Sequence, residues 1–299
     1  MLPDYLTPSI QFLDPPGPGQ VRLRELLESL EWQTTLATLP MALGRSDSGE
    51  PLIADLAELP HLLIGGATGS GKSVALHGIL LSLLCRFHPN DLRLVLVDSG
   101  RVEMQLYNSF PHLLIPTVTE VAKVALVMRW LLGEMRKRQR LLARANIRDL
   151  GRFNTRPPHT DVLRDYAGGL ALPATLPRIV VVIDDLSDLA EVATDELQQA
   201  LALVLGQGGA TGIHLILSSQ IPGLKIIEGA MKFHPMGRLA FDVSSEADSR
   251  LFLDQSGAEG LRCNGDFVYQ PTLHAELRHG QTAYVSEEEI QRWKQGCSG

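Results

Sequence analysis

Cysteine is scarce in this chain of 299 residues: Cys85, Cys263 and Cys297 are the whole complement. Three scattered thiols exclude a disulfide framework and a paired-cysteine zinc site. Basic residues are in deficit, 27 Lys and Arg against 34 Asp and Glu, for a net charge of −7. No global field therefore draws in nucleic acid or an anionic membrane, and a polyanion has to meet a local basic patch. A long apolar run is missing too. The longest stretch free of Asp, Glu, Lys and Arg, Leu197 to Leu224, carries Gln198, Gln199, Gln207, His214, Gln220 and a glycine-rich break, which excludes a membrane span. Pro3, Pro8, Pro15, Pro16 and Pro18 interrupt the first 20 residues and exclude a secretory signal there. The expected location is the cytoplasm, without membrane insertion.

What is present is material for a core. Hydrophobic residues reach 44% and charged residues 20%, which excludes disorder for the bulk of the chain. The length fits about two domains of roughly 150 residues, or one large α/β domain. Residues 1–40 read as a proline-rich arm and a helix, with helical apolar spacing over Val21–Leu39. Met41–Ile53 reads as a strand, a turn at Asp47–Gly49 and a second strand. A regular alternation follows: strands at His61–Gly65, Leu92–Asp98, Ile179–Asp185 and Ile213–Ser219, with helices at Lys72–Phe87, Glu120–Ala145 and Asp195–Leu205. Strands without polar alternation, separated by helices, predict a predominantly parallel sheet covered on both faces, an α/β fold. Residues 152–177, rich in Pro and Gly, read as an insertion or long loop. After Arg238 come short strands (Arg238–Val243, Asp266–Tyr269, Thr282–Val285), which close the main domain at 41–285. Residues 286–299 read as a last helix and tail, with Ser286 as N-cap and Glu289 at the capping-box position.

The segment Gly66-Ala67-Thr68-Gly69-Ser70-Gly71-Lys72-Ser73, followed by Val74, matches GxxxxGK[ST] between an apolar strand and a helix opening at the lysine. Its glycines let backbone N–H groups turn inward around phosphate oxygens, and the helix N-terminus adds a favourable dipole. Lys72 is placed to reach the β- and γ-phosphates of ATP, and the Ser73 hydroxyl to bind Mg²⁺. The second metal-side ligand is expected from Asp184, the acid that ends the apolar run IVVVID. Asp185 beside it is placed to orient the attacking water, and Gln220, after HLILSS, to sense the γ-phosphate. His77, His112 and His214 show no metal spacing and read as packing or hydrogen-bonding residues.

Further motifs narrow the reading. They are Ala42-Leu43-Gly44, Pro51-Leu52-Ile53-Ala54-Asp55-Leu56, Pro60-His61-Leu62-Leu63-Ile64 and Pro111-His112-Leu113-Leu114. Later come Gly212-Ile213-His214-Leu215-Ile216-Leu217, Val243-Ser244-Ser245, Asp248-Ser249-Arg250 and Leu253-Asp254-Gln255. With these, residues 39–285 resemble the motor domain of the FtsK/SpoIIIE family of DNA translocases. The resemblance implies a RecA-like P-loop NTPase, a homo-oligomeric ring, typically a hexamer, around double-stranded DNA, and ATP-driven translocation with sequence-independent DNA contacts. Arg250 matches a family arginine associated with the DNA-facing loops. Lys225 and Lys232 could replace a second such arginine, which is Ile221 here, or be ordinary solvated lysines. The basic run Arg136-Lys137-Arg138-Gln139-Arg140 likewise admits a DNA role or a structural one.

Four positions depart from the family pattern. Asp185 stands for a water-activating glutamate, Gly209 for an arginine that reaches the neighbouring subunit's ATP, Gln220-Ile221-Pro222 for Gln-Arg-Pro, and Asp98-Ser99-Gly100 for Asp-Pro-Lys. A trans arginine contributes about 10³–10⁵ in rate. A carboxylate displaced by about 1 Å costs about 10². The expectation is therefore ATP binding with weak turnover, in which Arg101, Arg238 or Arg250 could compensate across a subunit boundary. Three readings stay open: a motor that translocates or tethers DNA, an ATPase of a secretion or conjugation system, and a hydrolysis-impaired subunit beside an active partner.

Overall fold

Ile179 to Ile183 are apolar at every position because both faces of their strand are covered. Val180 and Val182 enter one hydrophobic cluster, while Ile179, Val181 and Ile183 enter another, as the two-residue period of a strand requires. The computed structural model describes residues 9–17, 19–99, 103–157, 172–191, 194–220, 234, 236–272 and 274–296. Among these, nine strands form one sheet: β1 (Pro40–Ser46), β2 (Pro51–Asp55), β3 (His61–Gly65), β4 (Leu92–Asp98), β5 (Arg178–Asp184), β6 (Ile213–Ser219), β7 (Gly237–Phe241), β8 (Asp266–Gln270) and β9 (Arg278–Thr282). Their spatial order is β2-β1-β9-β8-β7-β3-β6-β5-β4. The block β7-β3-β6-β5-β4 is parallel, and β8, β9, β1 and β2 continue it antiparallel. The short late strands therefore extend the main sheet rather than forming a separate layer.

The helices are α1 (Leu23–Leu27), α2 (Leu30–Thr34), α3 (Lys72–Arg86), α4 (Val121–Arg144), α5 (Leu150–Asn154), α6 (Leu186–Glu191), α7 (Asp195–Gln207), α8 (Glu246–Leu253) and α9 (Glu287–Gly296). One cluster gathers Leu13 of the arm with α1, α2, α3 and Trp293 of α9. The other gathers α4, α7 and Phe252 of α8. On α4 the buried positions Val124, Val127, Met128, Leu131 and Met135 fall on one helical stripe. The helical spacing over Val21–Leu39 resolves into two short helices. Ser29 interrupts it, and its hydroxyl accepts the Trp32 N–H at 3.3 Å to cap α2. The last strand lies at Arg278–Thr282, ending where one was expected to begin; Tyr284 instead bridges to Arg22 of the arm. Arg101, Lys225 and Lys232 lie outside the described residues, as does the centre of the 152–177 segment.

Candidate functional site

The C-terminal ends of β3, β6 and β5 lie side by side, and the loop Gly66–Gly71 leaves the first of them. Gly71 caps α3 with φ +119°, and a Cβ there would come within 2.7 Å of the Gly265 Cα. Only glycine fits both constraints. No acidic residue sits in the first turn of α3, so the positive end of the helix dipole faces the loop uncompensated. The loop is braced from outside: Ala67 N–H donates to the Asp242 carbonyl at 2.8 Å, and Gly265 N–H donates to the Ser70 carbonyl at 2.9 Å. Lys72 Nζ donates to the carbonyls of Gly66 and Ala67, both at 2.7 Å, which lets an ammonium sit in an almost buried place. Thr68 and Gly69 are exposed, while Ser73 and Val74 are half-buried at the start of α3.

A cavity of about 770 Å³ flanks the loop, lined among others by Gly69, Gly71, Val74, Gln20, Arg45 and Asn264. That is room for a nucleoside-sized ligand. Sequence reasoning missed Gln20, Arg45 and Asn264, because the arm, β1 and the turn before β8 meet only in the folded sheet.

Asp98 and Asp184 are register partners at the ends of β4 and β5. Asp98 is occupied locally, accepting the Met104 N–H at 2.9 Å. Asp184 is buried, one strand nearer the loop. Asp185 follows in the left-handed region, φ +61°, and its Oδ1 accepts the Ser187 N–H at 3.0 Å. That short two-residue reach suits aspartate better than glutamate. Gln220 joins the groups: its amide donates to Asp185 Oδ2, and its carbonyl accepts from the Thr68 hydroxyl, both at 2.5 Å. Loop, acid and glutamine thus form one connected set.

Other singled-out residues lie elsewhere. Arg250 is exposed on α8 and ion-paired with Glu246 at 2.6 Å. Arg238 is buried in β7 and paired with Asp254, the partly exposed residue that caps the C-terminal end of α8. Arg138 is also buried: Nε meets Glu134 at 3.0 Å, and a terminal nitrogen donates to the Thr211 carbonyl at 2.9 Å. It ties α4 to the turn before β6. Gly209 lies at the opposite end of the sheet, beside a cavity of about 470 Å³ that His214 and Arg178 also line. His214 and His112 hydrogen-bond to the carbonyls of Pro60 and Phe87, and His77 to the Tyr107 hydroxyl. Burial lowers the pKa of each of the three to about 4.

Comparison with known proteins decides the kinship: the profile of the FtsK/SpoIIIE family matches residues 22–224. The chain belongs to this family. It is 40% identical over 282 residues to the DNA translocase FtsK of Haemophilus influenzae, covering 90% of this chain and 53% of that protein. With the DNA translocase FtsK of Pseudomonas aeruginosa it shares 39% over 289 residues, covering 92% of this chain and 36% of the relative. The chain therefore spans about half or less of those FtsK proteins' length. Among solved structures, the cytoplasmic domain of the Thermomonospora curvata type VII secretion ATPase EccC superposes with a TM-score of 0.71 at 23% identity, covering 96% of this chain and 32% of that one. The pCW3 conjugation coupling protein TcpA, in its monomer form with ATPgS, gives 0.67 at 24% identity, covering 92% and 72%. Such likeness shows the fold, that of RecA-like P-loop ATPases.

Proposed function

We propose that this chain is the ATPase motor of a DNA translocase, binding ATP through Gly66–Val74 and driving movement along double-stranded DNA. The reading is carried by the juxtaposition, in an FtsK/SpoIIIE chain, of the complete phosphate loop with Asp184, Asp185 and Gln220 on adjoining strand ends. Lys72 neutralises phosphate charge, and the loop N–H groups and the α3 terminus orient the phosphates. Asp185 is the acceptor for the water proton, and Gln220 holds that acid in place. The Ser73 hydroxyl and Asp184 carboxylate are hard oxygen donors that fit Mg²⁺, which when bound polarises the terminal phosphate. DNA contacts are sequence-independent, with Arg250 as the described candidate. The working form is a cytoplasmic homo-oligomeric ring, a hexamer in the family's pattern. Turnover is slow, because Gly209 offers no cation to a neighbour and Asp185 is one methylene short of the family's glutamate.

The test is an ATPase assay with and without duplex DNA. Duplexes of unrelated sequence are expected to stimulate hydrolysis equally, and stimulation is expected to fade between about 50 and 200 mM salt. Hydrolysis indifferent to DNA would favour the ATPase of a secretion or conjugation system. Nucleotide binding with no hydrolysis under either condition would favour a regulatory subunit beside an active partner.

A further inference from the structure

The Thr68–Gln220–Asp185 chain has a direction fixed by its acid end. An ionised carboxylate only accepts, so Gln220 must turn its NH₂ to Asp185 Oδ2 and its carbonyl to Thr68 Oγ1. Thr68 must then be the donor. A hydroxyl owns one proton, and a phosphate oxygen arriving at the loop is an acceptor as well. Phosphate and Gln220 therefore compete for the same hydrogen. Asp185 has two fixed points: one oxygen is held by the Ser187 N–H at 3.0 Å, and the other is held by Gln220. The first is local, and the second depends on Thr68, an exposed loop residue that the packing of the core does not require.

We propose that Thr68 is a positioning residue: through Gln220 it sets the Asp185 carboxylate, and so couples occupancy of the phosphate loop to the acid at the strand end. The inference deepens the ATPase reading and rests on it for its catalytic consequence. The contact itself is independent of turnover.

Two measurements on the full chain test it. In the ¹⁵N-labelled, nucleotide-free protein, the Gln220 carboxamide signals are identified by their loss in Gln220→Ala. Thr68→Val, which keeps the shape and removes the hydroxyl, is expected to shift those signals and speed their exchange with water about tenfold, and Thr68→Ser is expected to return them toward the parent position. Adding ATPγS with Mg²⁺ is expected to move the Gln220 signals of the parent toward their Thr68→Val position and to leave those of Thr68→Val nearly still, because the phosphate takes the hydroxyl from Gln220. In the ATPase assay, Thr68→Val is expected to change kcat less than about threefold, since Gln220 is released in the loaded parent as well. The Thr68→Val/Gln220→Ala pair is expected to be no slower than Gln220→Ala alone, because both act on one link. Unmoved Gln220 signals in Thr68→Val overturn the proposal, as do losses of kcat that multiply in the pair. If the parent chain hydrolyses no ATP yet the signals respond as described, the positioning contact stands and the ATPase reading falls.

Discussion

In the proposed ATP site, nucleotide affinity turns on Lys72, whose ammonium is held at the loop by two carbonyls at 2.7 Å. A charge-assisted bond to phosphate contributes about 1.5–3 kcal/mol. Lys72→Ala is therefore expected to weaken ATP binding roughly 10- to 150-fold in a fluorescent-nucleotide titration, and an unchanged affinity would remove the site assignment. Gly209 poses the opposite problem. It has no left-handed φ, yet a Cβ built there meets the Pro60 Cβ at 2.5 Å. Pro60 leads into β3, and its carbonyl takes the His214 bond, so it has little freedom to retreat. Gly209→Arg, which installs the arginine that the family resemblance implies for this position, is consequently expected to lower the melting temperature by several degrees and not to raise turnover. A stable and faster variant would show that Pro60 yields.

The capping box of α9 also anchors the arm. Ser286 N–H donates to Glu289 Oε2 at 2.8 Å, Glu289 N–H donates to Ser286 Oγ at 3.2 Å, and the Asp14 N–H donates to Glu289 Oε1 at 2.7 Å. Glu289→Ala removes a cap, worth about 1 kcal/mol, and leaves the Asp14 N–H without its acceptor, a further cost of about 1–3 kcal/mol. The expected result is a stability loss of roughly 2–4 kcal/mol in urea unfolding, with faster proteolysis within the arm. A loss under about 0.5 kcal/mol would show that the arm is held by Leu13 and its packing alone. Elements of this kind were legible in sequence where their signal is local. The capping box lies within four residues, the phosphate loop within eight, and β3, β4 and β6 are apolar runs with the ends expected of them. Arg278–Thr282 was not legible as a strand. Only Gly280 and Thr282 of its five residues are buried, and Gly280 serves by letting the Arg45 carbonyl approach. The link from Thr68 to Gln220 was hidden for another reason: it joins residues 152 positions apart. Local motif reading sees each end and not the bond.

At the scale of the whole molecule, both faces of the sheet are sealed, and histidines are trapped inside the seal. Burial, with His214 nearby, lowers His61 to about 3, and burial lowers His77, His112 and His214 to about 4. Their bonds agree with neutral rings. His61 Nδ1 accepts the Leu215 N–H at 3.0 Å, so a proton added there would face a donor. In the unfolded chain each ring titrates near 6.5. Because the folded values lie below the unfolded ones, the unfolded state binds more protons between about pH 6.5 and 4. Stability from these rings is complete above pH 6.5 and is lost as the pH falls through that window. Each ring contributes a slope on the order of 1 kcal/mol per pH unit, and four together are large against a typical stability of about 5–15 kcal/mol. The urea midpoint is therefore expected to be nearly flat from pH 8 to 7 and to drop steeply between pH 6 and 5. His112→Gln, which keeps a donor for the Phe87 carbonyl without a titrating ring, is expected to reduce that slope by roughly a quarter. A midpoint constant from pH 7 to 5 would mean that the rings take up protons in the folded state, and that the sheet is not sealed around them.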